Sequence, residues 1–79
     1  MKDIVVNAIN EAMLVLYGLK IPDATTLTII ELIDSDEDRY ELIDKIDCIL
    51  NIKLSNEDTD VLITFDDIIN KSIELLKLN

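Results

Sequence analysis

The densest run of side chains that could do chemistry stands between Asp34 and Cys48. Ser35 is a hydroxyl set among Asp34, Asp36, Glu37 and Asp38, just ahead of an apolar, periodic stretch. A serine there predicts a helix cap, its oxygen accepting backbone N–H groups of the first turn. The run Asp34-x-Asp36-x-Asp38 opens like a calcium loop. Such a loop needs Gly at its sixth position and Glu at its twelfth, where this chain has Arg39 and Lys45, so no metal site is expected. Only loose, charge-driven attraction of divalent ions remains. Cys48 is the single thiol and there is no histidine, which leaves no internal disulfide and no Cys–His zinc site. Cys48 is expected as a small side chain near the core boundary. With no nucleophile beside a base and no Gly-rich phosphate loop, no catalytic residue is assigned and no enzyme is expected. Exposed carboxylates without a cleft make poor acid–base pairs.

The element that must position Ser35 is a helix from Asp36 to Leu50. Tyr40, Leu42, Ile43, Ile46, Ile49 and Leu50 recur at helical spacing and predict one buried face. Glu37, Asp38, Glu41, Asp44 and Asp47 fall mostly between them and predict a negative opposite face. Asp36, Glu37 and Asp38 lie in the first turn, where the helix dipole favours acids. Such a charge run reads equally as a solvated side or as a docking surface for a basic partner, the second because crowded like charges cost stability.

A first helix is predicted from Asp3 to Tyr17, with Ile4, Ala8, Ile9, Ala12, Met13 and Leu16 on its stripe and Gly18 as its stop. Val5, Val6, Leu14 and Val15 widen that stripe and predict burial on more than one side. Gly18 to Ile33 is a long connection, too apolar to hang free and punctuated by Pro22 and the turn formers Asp23 to Thr26. Leu27 to Ile30 has strand propensity but no evident partner. Ile52 and Leu54 should point inward from a short link, followed by one short helical piece from Ser55 to Leu62. Thr64 then caps a last helix, with Asp67 completing an approximate capping box and Phe65, Ile68, Ile69, Ile73 and Leu76 facing the core.

Residues 1–79 thus read as one all-α domain: three main helices, one short one and a long loop after the first. Seventeen acids against seven bases give a net charge of −10, the wrong sign for nucleic acid or an acidic membrane surface. The expected partners are proteins with basic patches. No signal peptide is evident, no apolar run reaches membrane-spanning length, and the chain is expected as a cytoplasmic monomer.

From Leu32 to Ile69 the order of elements and residues resembles the acyl carrier protein family. There a loop ending in L-G-x-D-S-L leads into an acidic second helix. Tyr40–Glu41–Leu42–Ile43 stands for that helix's V-E-L-V-type core, Leu50 to Ser55 for the F-D-x-x-I-P link, and Leu62–Ile63–Thr64–Phe65 for the I-x-T-V that opens the last helix. The resemblance implies a serine carrying a 4'-phosphopantetheine arm, whose thiol holds acyl or aminoacyl groups as thioesters. It implies docking of basic synthases or transferases on Glu37, Asp38, Glu41, Asp44 and Asp47, and an acyl group resting among residues such as Leu42, Ile46, Ile63, Phe65 and Ile69. Ser35 is the candidate attachment residue. Counted without a gap, however, the serine position is Asp36, the following apolar residue is Glu37 and the loop glycine is Ile33. Using Ser35 shifts the register by one residue, about 100° of helix, at a soft helix end. The alternative is a degenerate carrier that takes no arm and serves as an interaction or regulatory module. A third reading is an unrelated acidic helical protein that binds a basic target.

Overall fold

The computed structural model describes residues 1–33 and 35–78. Asp34, the first acid of the expected cluster, lies outside them. The architecture is an all-α bundle: α1 (Lys2–Tyr17), α2 (Ile29–Ile33), α3 (Asp36–Leu50) and α4 (Phe65–Leu78). Two 3-10 turns, Leu54–Asn56 and Thr59–Val61, connect α3 to α4. α3 has the bounds its periodicity predicts, and α1 starts one residue earlier than expected.

Capping explains where the helices stop and start. Gly18 takes the left-handed conformation at φ 68°, and its N–H reaches the Leu14 carbonyl at the end of α1. Asn51 does the same for α3 at φ 55°, its N–H returning to the Asp47 carbonyl. At α4 the Asp67 N–H donates to Thr64 Oγ1 (3.0 Å), and the Asp67 carboxylate accepts the Thr64 N–H (2.9 Å) and the Ile63 N–H (3.1 Å). This is the expected capping box, closed in both directions.

Those bonds hold the Asp67 carboxyl below the usual carboxylate range: the Thr64 N–H contributes most, partial burial opposes it, and the Ile63 N–H and Thr64 hydroxyl add to it. A depressed folded-state value means that the stabilisation is complete above the unfolded-state value. It is lost as pH falls through the folded-state value. Asp67→Ala should therefore cost about 1 kcal/mol at neutral pH and progressively less in acid, checked by urea unfolding between neutral and strongly acidic pH. A penalty that does not shrink in acid would contradict that assignment.

The long first connection is built into the core. Thr28 donates its N–H and hydroxyl to the Glu31 carboxylate (2.8 and 3.0 Å), which starts α2, and Ile29 and Ile33 on that single turn are buried. The strand propensity at Leu27–Ile30 yields one antiparallel bridge, Thr28 to Thr64. Its partner is the segment just before α4, with Ile29 N–H donating to the Ile63 carbonyl at 2.8 Å. The stretch from Ser55 to Leu62, expected as one helical piece, divides into two turns. Glu57 between them is extended, and the Asp58 side chain caps the second turn by accepting the Asp60 N–H.

The core joins Val5, Ile9 and Met13 of α1, Leu42, Ile43 and Ile46 of α3, and Phe65, Ile68 and Ile69 of α4. Ile52 and Leu54 point inward as expected. Ile73 and Leu76, expected on the buried face of α4, are half-buried at its edge. Two parts of the expected pattern are corrected. Ile4, Leu14 and Val15 are exposed, because α1 meets α3 and α4 along one side and, among the described residues, these three are left uncovered on the other. On α3 the buried position before Leu42 belongs to Arg39, and Tyr40 is exposed.

Candidate functional site

Ser35 sits in extended conformation immediately before α3, half-buried, and its Oγ accepts the Asp38 N–H at 3.2 Å. The cap reading of this serine is what the geometry displays. That contact uses the oxygen only as an acceptor. Asp36 is the next residue and its carboxylate is exposed, 3.5 Å from the Arg39 Nε. That spacing is ion-pair range without hydrogen-bond geometry, since Nε has no hydrogen-bond partner among the described residues.

Arg39 explains how this corner is held. Its Nη1 donates to the Thr59 carbonyl and to the Leu62 carbonyl (3.1 Å), fastening the second 3-10 turn to the first turn of α3. The guanidinium also lies 4.9 Å from the centroid of the Tyr40 ring. A long side chain can bury its stem while its head meets backbone oxygens, which a reading of apolar periodicity alone misses. The Asp36-x-x-Arg39 spacing was the available signal.

From α1, the Tyr17 hydroxyl donates to the Asp38 carbonyl at 2.6 Å and braces the same turn. Burial, followed by the nearby Glu41 and Asp38 carboxylates, pushes the Tyr17 hydroxyl up to about 12.

The five acids expected on the outer face of α3 divide by environment. Glu37, Glu41 and Asp44 are exposed, with Tyr40 and Cys48 on the same side of the helix. Cys48 is thus on the surface rather than at the core boundary, because Ile46 takes the inward position. Asp38 is half-buried at the margin. Asp47 is committed to the fold: its carboxylate accepts the Leu54 N–H (2.7 Å), the Ser55 N–H (3.1 Å) and the Ser55 hydroxyl (2.7 Å). The free outer face is therefore three carboxylates around an exposed tyrosine.

Of the residues expected around an acyl group, Leu42, Ile46, Phe65 and Ile69 are buried together, whereas Ile63 is exposed on the link before α4. An open groove of about 480 Å³ is lined by Asn51, Ile52, Lys53, Leu75 and Leu78. It lies at the C-terminal end of α3, about 22 Å of helix away from Ser35 at 1.5 Å per residue. Among the described residues no cluster of three or more His, Cys, Asp or Glu side chains could hold a metal ion. No described helix is long and apolar enough to cross a membrane. Compared with family models, curated proteins and solved structures, the chain matches none.

Proposed function

We propose that this chain is a carrier protein of the acyl carrier kind, holding acyl or aminoacyl groups as thioesters on a phosphopantetheine arm at Ser35. On this reading it works in the cytoplasm with basic synthases or transferases of fatty acid or polyketide biosynthesis. They dock on the outer side of α3, where Tyr40 supplies an aromatic anchor and Glu37, Glu41 and Asp44 supply the charge. One observation carries the reading. Ser35 opens a helix whose outer face is acidic, in a chain ordered as helix, long loop, helix, short turns, helix.

A second reading, the armless interaction module, is favoured by Asp36. At the position where the family has its serine, an exposed carboxylate stands beside Arg39, while the Ser35 oxygen is engaged in a cap. It keeps the docking face and drops the thioester chemistry.

Intact mass after incubation with coenzyme A and a broad-specificity phosphopantetheinyl transferase separates the two. The carrier reading expects a gain of one phosphopantetheine group, lost in Ser35→Ala. Loss of the cap costs about 1 kcal/mol, so helicity is followed alongside. No gain in the wild type, with a gain in Asp36→Ser, would establish the armless module instead.

A further inference from the structure

Between Ser55 and Leu62 the chain leaves the core. The Asp47 carboxylate fastens Ser55 at one end. At the other, Leu62 is buried and the Ile63 N–H donates to Asp67. No residue from Asn56 to Val61 is buried, and Val61 is 59% exposed. The second 3-10 turn, Thr59–Val61, packs chiefly on the first one. Its tie to the helices is polar. Arg39 Nη1 donates to the Thr59 carbonyl within this segment and to the Leu62 carbonyl at its edge. Lys71 of α4 also approaches, but at 4.0 Å from the Glu57 carboxylate and with both groups partly exposed it adds little.

Charge works against this closure. Glu57, Asp58 and Asp60 give the segment three acids and no base. Asp36, Glu37 and Asp38 stand in the first turn of α3, from which Arg39 reaches across, and Asp66 and Asp67 stand in the first turn of α4. Arg39 is thus the cation set between acids on both sides. Its buried Nε has no hydrogen-bond acceptor among the described residues, and water would supply one if the segment lifted.

We propose that residues 56–61 are a strap that opens as a local unit, with Arg39 as its latch. Opening breaks the two Arg39 bonds and leaves α1, α3 and α4 packed, because the strap contributes no side chain to the core. Few buried contacts and exposed backbone bonds are what a segment of low local stability has. Opening uncovers the Arg39 guanidinium and the Leu62 side chain, both buried while the strap is shut. The head of an acidic helix thereby gains a cation and an apolar side chain. This holds whether or not Ser35 carries an arm.

Native-state hydrogen exchange of the full chain, read residue by residue by NMR at urea concentrations below unfolding, tests this. The Leu62 N–H, held on the Thr59 carbonyl, should exchange faster than the Ile46 and Ile69 N–H groups and with little urea dependence, whereas those two follow global unfolding. Arg39→Lys keeps the charge and the stem but not the planar fork, and should quicken Leu62 exchange about tenfold or more. Asp60→Asn removes one repelling charge from an exposed side chain and should slow it. A Leu62 N–H with the rate and urea dependence of Ile46 would overturn the proposal, since the strap would then open only with the whole fold. So would exchange at the rate of an unstructured peptide, or a rate indifferent to Arg39→Lys, because neither leaves Arg39 a latch. Exchange no slower in Asp60→Asn would overturn the part assigned to repulsion.

Discussion

Replacing Arg39 with alanine is expected to destabilise the protein by about 3 kcal/mol, which lowers Tm by roughly 12–24 °C for a domain of this size. The guanidinium is the donor for the Thr59 and Leu62 carbonyls, and Arg39 is 3% exposed. Truncation takes the side-chain donor from the Leu62 carbonyl, leaves the Thr59 carbonyl with only the Leu62 N–H, and removes the buried stem. A chain of 79 residues has total stability of only about 4–12 kcal/mol, so the loss is a large fraction of it. Asp36→Asn provides the contrast. Its carboxylate is exposed, and losing that ion pair should cost about 0–1 kcal/mol. Thermal and urea unfolding of the two variants reads both. An Arg39→Ala protein no less stable than Asp36→Asn would mean that the corner is held by something other than the buried guanidinium.

Phe65→Ala is expected to cost more, about 3–5 kcal/mol. Phe65 is the largest fully buried side chain, at the first position of α4 and among Leu42, Ile46 and Ile69. Its N–H donates to the Leu27 carbonyl, so it fastens the long first connection as well as filling the core. Removing the ring opens a void that rigid helices cannot fully close. A loss of this size brings the chain close to unfolding, so Phe65→Leu, which leaves a smaller void, serves as the graded variant. On the carrier reading the variant has a second use. An acyl chain that rests among these side chains should occupy the space vacated and restore part of the lost stability. Unfolding curves of the loaded and unloaded Phe65→Leu protein compare the two directly. Identical curves would place the acyl group outside this core.

The main helices could be read in the chain because local signals agreed with burial. Ser35 and the first-turn acids marked the start of α3, and Leu42, Ile43 and Ile46 marked its inner side. Thr64 and Asp67 marked the start of α4 by a bond pattern that depends on only four residues. What could not be read depended on distant partners. Nothing near Leu27–Ile30 reveals that Thr28 meets Thr64 across the molecule. Apolar character alone puts Tyr40 inside, but the Thr59 and Leu62 carbonyls draw Arg39 inward and leave Tyr40 on the surface. Asp47 resembled the other surface acids until the Leu54 and Ser55 N–H groups were folded against it. The wide stripe of α1 suggested burial on several sides, yet a bundle this small covers only one, and Ile4 and Val15 stay outside.

Peptide-level mass spectrometry of the wild-type protein after transferase treatment tests the carrier reading most directly. The arm should be found on the fragment containing Ser35 and on no other. Wild-type protein that stays unloaded while Asp36→Ser accepts the arm, or an arm found on any other residue, would contradict it.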